Sequence, residues 1–107
     1  MAKFKVEILI NEEKVLQDDK YEPETMYEYI KNMFRKYNLK EVITDSPNHI
    51  IFTDRGDNRD MVGLSLVAIH LAEFDWFRKY AKQFYWYEPN ANGSIIKADA
   101  FNAIDLV

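Results

Sequence analysis

Residues 74–87, FDWFRKYAKQFYWY, hold half of the chain's sixteen aromatic side chains and end in an unbroken run of four: Phe84, Tyr85, Trp86 and Tyr87. No single face of a regular element can hold that run. Consecutive side chains lie about 100° apart on a helix and on opposite sides of a strand, so burying Phe84 turns Tyr85 or Trp86 elsewhere. The surplus must meet a second layer of this protein or another protein. As a strand, the run places Phe84 and Trp86 on one face and Tyr85 and Tyr87 on the other. As the end of a helix, it places Phe84 inward and Trp86 on the side of Lys79 and Lys82.

Upstream of this stretch the pattern predicts a long helix from Met61, with Asp60 as its N-cap. On a helical projection Val62, Leu66, His70, Phe77, Tyr80, Ala81 and Phe84 share one face, which is taken as the core side. The opposite face carries Asp75, Arg78, Lys79 and Lys82 in the second half but Leu64, Ala68 and Leu71 in the first. An element apolar all round is expected to be covered on both sides, whereas the second half reads as a surface helix. His70, one turn from both Leu66 and Phe74, is expected in the core.

The rest of the chain supplies the partners for that helix. Phe4, Val6, Ile8 and Ile10 alternate with Lys3, Lys5, Glu7 and Leu9, the period of a strand with one buried face. Asn11–Glu13 reads as a turn into a short strand at 14–17. Pro23 at a first helical position opens a helix from about Glu22, with Met26, Ile30, Met33, Phe34 and Tyr37 as its inward stripe and Asn38 as a left-handed cap. The β-rich runs 39–44 and 49–53 flank the turn formers Asp45, Ser46, Pro47 and Asn48 and predict a hairpin. Asn92-Gly93 marks a turn, and the apolar tail, with a short helix near 98–106, is expected to dock on the domain. These elements predict one α+β domain over residues 1–107: a small antiparallel sheet of three to four strands, covered by two main helices and a docked C-terminal tail.

A chain of 107 residues with seven Phe and two Trp can build a core without staples, and its lack of cysteine removes thiol-based zinc, redox and nucleophile chemistry. The charged residues among the first thirteen break any signal-like apolar segment. The longest uncharged run, 61–72, is too short to span a bilayer. A soluble, cytoplasmic protein with no membrane contact is therefore expected. Residues 7–28 carry eight acids against Lys14 and Lys20, and residues 29–40 carry four bases and no acid. That polarity matches a helix dipole, and the basic segment is too small for a nucleic-acid footprint, so direct nucleic-acid binding is not expected.

Chemistry-bearing candidates are few. His49 lies near Ser46, but a turn supplies neither an orienting carboxylate nor oxyanion donors, so a turn histidine is expected. Asp54, Asp57 and Asp60 surround Gly56 without the alternate spacing of a calcium loop, and three scattered glycines make no phosphate cradle. No catalytic residue, metal or cofactor is expected. The sequence points instead to a non-catalytic protein-interaction or accessory domain, binding a partner or a second copy of itself through Tyr85, Trp86 and Tyr87. Tyr and Trp suit that role because they bury much area with few rotamers to freeze. Two alternatives remain open: an acidic inhibitor presenting residues 12–28 in place of phosphates to a nucleic-acid-handling protein, or a small-ligand-binding protein or enzyme with a pocket between helix and sheet.

Overall fold

The alternation at the start of the chain builds β1 (Lys5–Ile10), whose Val6, Ile8 and Ile10 are buried while Lys5, Glu7 and Leu9 are partly exposed. In the computed structural model, which describes residues 3–105, β1 is the middle strand of a five-stranded sheet. The hairpin forms as expected, with β2 (Lys40–Val42) pairing β3 (His49–Thr53), and β3 pairs β1. On the other side of β1 lie β4 (Ala81–Pro89) and then β5 (Ile95–Asp99), so the order is β2-β3-β1-β4-β5 and every pairing is antiparallel. The β4–β5 connection turns at Gly93, whose φ of 89° is the left-handed geometry expected of Asn92-Gly93.

The α+β class is as the sequence predicts, but the described residues form five strands and five helices rather than three to four strands and two main helices. Residues 14–17 are not a strand. They belong to α1 (Glu12–Asp18), which begins where the Asn11 side chain accepts from the Lys14 amide at 3.1 Å and two acids sit in the first turn. Only Val15 of its apolar pair is buried. Next comes α2 (Pro23–Arg35), with Met26, Ile30 and Phe34 inward and Asn38, at φ 56°, in the left-handed conformation just beyond it.

The long helix divides into α3 (Arg59–Ala72) and α4 (Asp75–Tyr80), and its continuation is β4. The reason is phase. The inward residues of α3 are Leu64, Val67, Ala68 and Leu71. Extending that face by one and two turns would carry Asp75 and Arg78 into the core, at the desolvation cost of two charges. Extended backbone at Phe74 resets the phase, so that α4 buries Phe77 and Tyr80. Arg78 instead donates its Nε to the Ala72 carbonyl at the end of α3.

Two expectations fall with that face. His70 is exposed rather than in the core, and α3 is covered on one side only: Val62, Leu66 and Ile69 are 53%, 45% and 44% exposed. Asp60 is not the N-cap, a place taken by Asn58. It lies in the first turn of α3, buried, and accepts from the backbone and guanidinium of Arg55.

The tail docks through α5 (Ala100–Asp105), where Ala100 is buried and the Phe101 ring stands 4.9 Å from Phe84 and 5.8 Å from Phe77. Residue 106, the end of the predicted tail helix, lies outside the described residues. Gly63 permits the close approach of α3 to the turn that follows α2, because a Cβ there would stand 3.2 Å from the Tyr37 side chain. No helix among the described residues is long and apolar enough to cross a membrane.

Candidate functional site

The helices pack on the sheet face that carries Val6, Ile8, Ile50, Phe52 and Phe84, and these side chains form one core with α2, α3 and α4. Register fixes what stands on the opposite face. Glu7 pairs with Tyr85 and Ile51, Lys5 with Tyr87 and Thr53, and Leu9 with Gln83 and His49. Across β5, Tyr85 pairs with Asp99 and Tyr87 with Lys97. Because directly opposed residues share a face, Tyr85 and Tyr87 stand on the side of the sheet that no described helix covers, among Lys5, Glu7, His49 and Lys97. Most of these side chains are only partly buried, and Gln83, Lys97 and Asp99 are exposed.

Trp86 points the other way. It shares the face of Phe84 and is half-buried against the core, with its ring 6.0 Å from Phe4 and its Nε1 donating to Glu88 at 3.2 Å. It lines a hollow of about 410 Å³ between α3, β4 and α5, together with Ile69, Ala103 and Ile104. The three aromatic residues singled out from sequence thus belong to two surfaces, Tyr85 and Tyr87 to the open sheet and Trp86 to the edge of the helical layer.

The open face is a connected polar-aromatic array. The Tyr87 hydroxyl donates to Glu7 Oε1 at 2.5 Å, and the His49 ring meets Glu7 Oε2 at 2.6 Å. Lys5 Nζ lies 4.1 Å from the Tyr87 ring centroid, and Lys97 Nζ reaches diagonally to 4.0 Å from the Tyr85 centroid. Burial pushes the Glu7 carboxyl up. The hydrogen bonds from Tyr87 and His49, with the charges of His49 and Lys5, outweigh it and hold the carboxyl below its ordinary value. Burial, and then the hydrogen bond to Glu7, pushes the Tyr87 phenol up to about 12. Hydrogen bonds to Glu7 therefore tie Tyr87 and His49 together, while Tyr85 is contacted by the Lys97 ammonium.

The other sequence candidates are engaged elsewhere. Ser46 meets His49 through its backbone carbonyl, at 3.1 Å from the His49 amide, and among the described residues the His49 ring is hydrogen-bonded to Glu7 alone. The three aspartates around Gly56 each serve a separate structural purpose. Buried Asp54 accepts from the amides of Lys3, Phe4 and Gly56, Asp57 pairs with Arg59, and Asp60 pairs with Arg55. No group of three or more His, Asp or Glu among the described residues is placed to hold a metal ion.

Within the acidic segment, Glu12 accepts from the Tyr27 hydroxyl, Asp18 from Tyr80 and Lys79, and Glu28 from Arg35. A second hollow, of about 380 Å³, is walled by Tyr21, Tyr29 and Trp76, with the Trp76 ring 6.4 Å from Tyr21 and 5.9 Å from Tyr29. The sequence offered no signal for the Glu7–His49–Tyr87 array, since it joins residues 42 and 80 positions apart in the chain. No protein-family model, curated protein or solved structure matches this chain.

Proposed function

We propose that this protein is a non-catalytic interaction domain whose contact surface is the open face of the sheet, with Tyr85 and Tyr87 as its anchors. The observation that carries this reading is the face that no described helix covers, where the Tyr87 hydroxyl is tied to Glu7 and the rings of Tyr87 and Tyr85 are contacted by Lys5 and Lys97. Pre-ordered aromatic side chains lose little entropy on being covered, which makes them effective contact residues. Ile51 and Leu9 add apolar area beside them, and the alternating Lys5, Glu7, Lys97 and Asp99 supply charges of both signs for specificity. A protein surface of mixed polarity fits this face better than a polyanion does, because Glu7 and Asp99 flank Tyr85 in register. The acidic-inhibitor reading draws less support, since Glu12, Asp18 and Glu28 are each already engaged by a donor of the same chain.

A photo-crosslinking residue placed at position 85, in cells expressing the full chain, tests the reading. A protein adduct that forms at position 85, fails to form from position 24 in α2, and is lost with Tyr87→Ser supports it. Equal adducts from both positions, or adducts to nucleic acid alone, refute it.

A further inference from the structure

The outer side of α3 carries a pattern that the fold of one chain does not use. Arg59, Val62, Leu66, Ile69 and Glu73 follow one another at steps of three, four, three and four, the spacing of a coiled-coil seam. All five are exposed, Arg59 with 90% of its side chain accessible. The opposite side of the same helix is buried through Leu64, Val67, Ala68 and Leu71. About half of each side chain in this three-residue apolar ridge stands in water over two turns, area that the described residues leave uncovered.

The charges at the ends of the ridge say what covers it. Arg59 stands at the first position of α3 and Glu73 at its C-cap, each the wrong sign for the helix dipole at that end. Asp57 bonds the Nε and one terminal nitrogen of Arg59, leaving the second terminal nitrogen without a hydrogen bond among the described residues. Two copies of α3 packed antiparallel about a two-fold axis at Leu66 bring Arg59 of each copy beside Glu73 of the other. The same arrangement sets Val62 beside Ile69 and Leu66 on its own symmetry mate. Parallel packing would instead set Arg59 on Arg59 and Glu73 on Glu73. We infer that the protein forms a two-fold symmetric homodimer through antiparallel pairing of α3.

Three side chains fall short of the roughly 800 Å² per partner of a stable interface, so the flanks of the ridge must contribute. Both are concave. Ser65 and Ile69 border the hollow walled by Trp86 and Ile104, and Leu66 and His70 border a second, of about 220 Å³, walled by Met33 and Tyr37. Ridges of one copy can seat in the hollows of the other, as in helix–helix packing generally. Since α3 lies on the helical side of the sheet, such a dimer turns its two open sheet faces outward. It leaves Tyr85 and Tyr87 accessible in both copies, so a dimer would present the proposed contact face twice.

Sedimentation and light scattering of the full chain across a concentration series test this. The wild type is expected to pass from monomer to dimer, and Leu66→Asp is expected to remain monomeric with its melting temperature little changed. Arg59→Glu and Glu73→Arg are each expected to weaken the dimer about tenfold by setting like charges together, and the double reversal is expected to restore it. Tyr85→Ser should leave the dimer intact, so this inference and the proposed use of the sheet face fail separately. A wild type monomeric up to about 1 mM, a dimer indifferent to Leu66→Asp, or a double reversal that does not restore association each overturns the inference.

Discussion

Neighbouring rings in β4 differ sharply in what they support, and truncating them one at a time exposes that difference. Phe84 is 2% exposed, with its ring edge-on to Phe77 at 5.0 Å and to Phe101 at 4.9 Å. Removing a fully buried Phe costs about 3 to 5 kcal/mol, and two aromatic contacts put Phe84→Ala near the middle of that range, about 4 kcal/mol. A chain of 107 residues unfolds with an entropy of about 0.22 kcal/mol/K, so the melting temperature should fall by about 18 °C. Tyr85, one residue on, contributes cross-strand contacts and the Lys97 interaction on an open face, worth about 1 kcal/mol, so Tyr85→Ala should fall by about 4 or 5 °C. Half-buried Trp86 belongs between them. Thermal denaturation followed by circular dichroism, with denaturant titration to obtain free energies, measures all three. Equal losses for Phe84→Ala and Tyr85→Ala would refute the assignment of the two rings to opposite faces.

Three further outcomes follow from the geometry. The folded-state pKa of Glu7 is depressed, so its ionised form contributes stability above the ordinary value of 4.5 and loses it as pH falls through the folded value. The melting temperature should therefore drop on acidification below that value, and Glu7→Gln should flatten the drop; an unchanged acid profile for the variant would count against the array. Asp54→Ala, which strips the acceptor from the amides of Lys3, Phe4 and Gly56, should cost about 2 to 3 kcal/mol by denaturant unfolding, although it deletes no apolar contact. His70→Ala should change stability by less than about 0.5 kcal/mol, because the side chain is exposed; a large loss in the same assay would return His70 to the core.

Local patterns were legible where one physical signal dominated. Strict alternation announced β1, the Asp45–Asn48 turn formers announced the β2–β3 hairpin, and Pro23 with its i, i+3, i+4 stripe announced α2. At Asn11 the capping signal was present in the residues, but two adjacent apolar side chains, Val15 and Leu16, suggested a strand that tertiary packing does not use. The Glu7–His49–Tyr87 array was not legible at all, since three strands distant in the chain must first come into register.

By itself the sequence determined that the four-ring run could not be buried on one face, because side-chain directions in either regular structure are set by backbone geometry. It also determined an α+β fold with an antiparallel sheet, through the period of its apolar residues. Only the tertiary structure decided that residues 81–89 are a strand, through pairing with β1 and β5, and that the helix breaks at Phe74, which keeps Asp75 and Arg78 out of the core and lets Phe77 and Tyr80 enter. The packing of the layers decided which side of α3 faces the sheet. It thereby sent Leu64, Val67 and Leu71 inward, set His70 in solvent, and left Val62, Leu66 and Ile69 as an outward ridge. Burial is a property of the assembled layers, and a helix apolar all round has no preferred inner face until its neighbours select one.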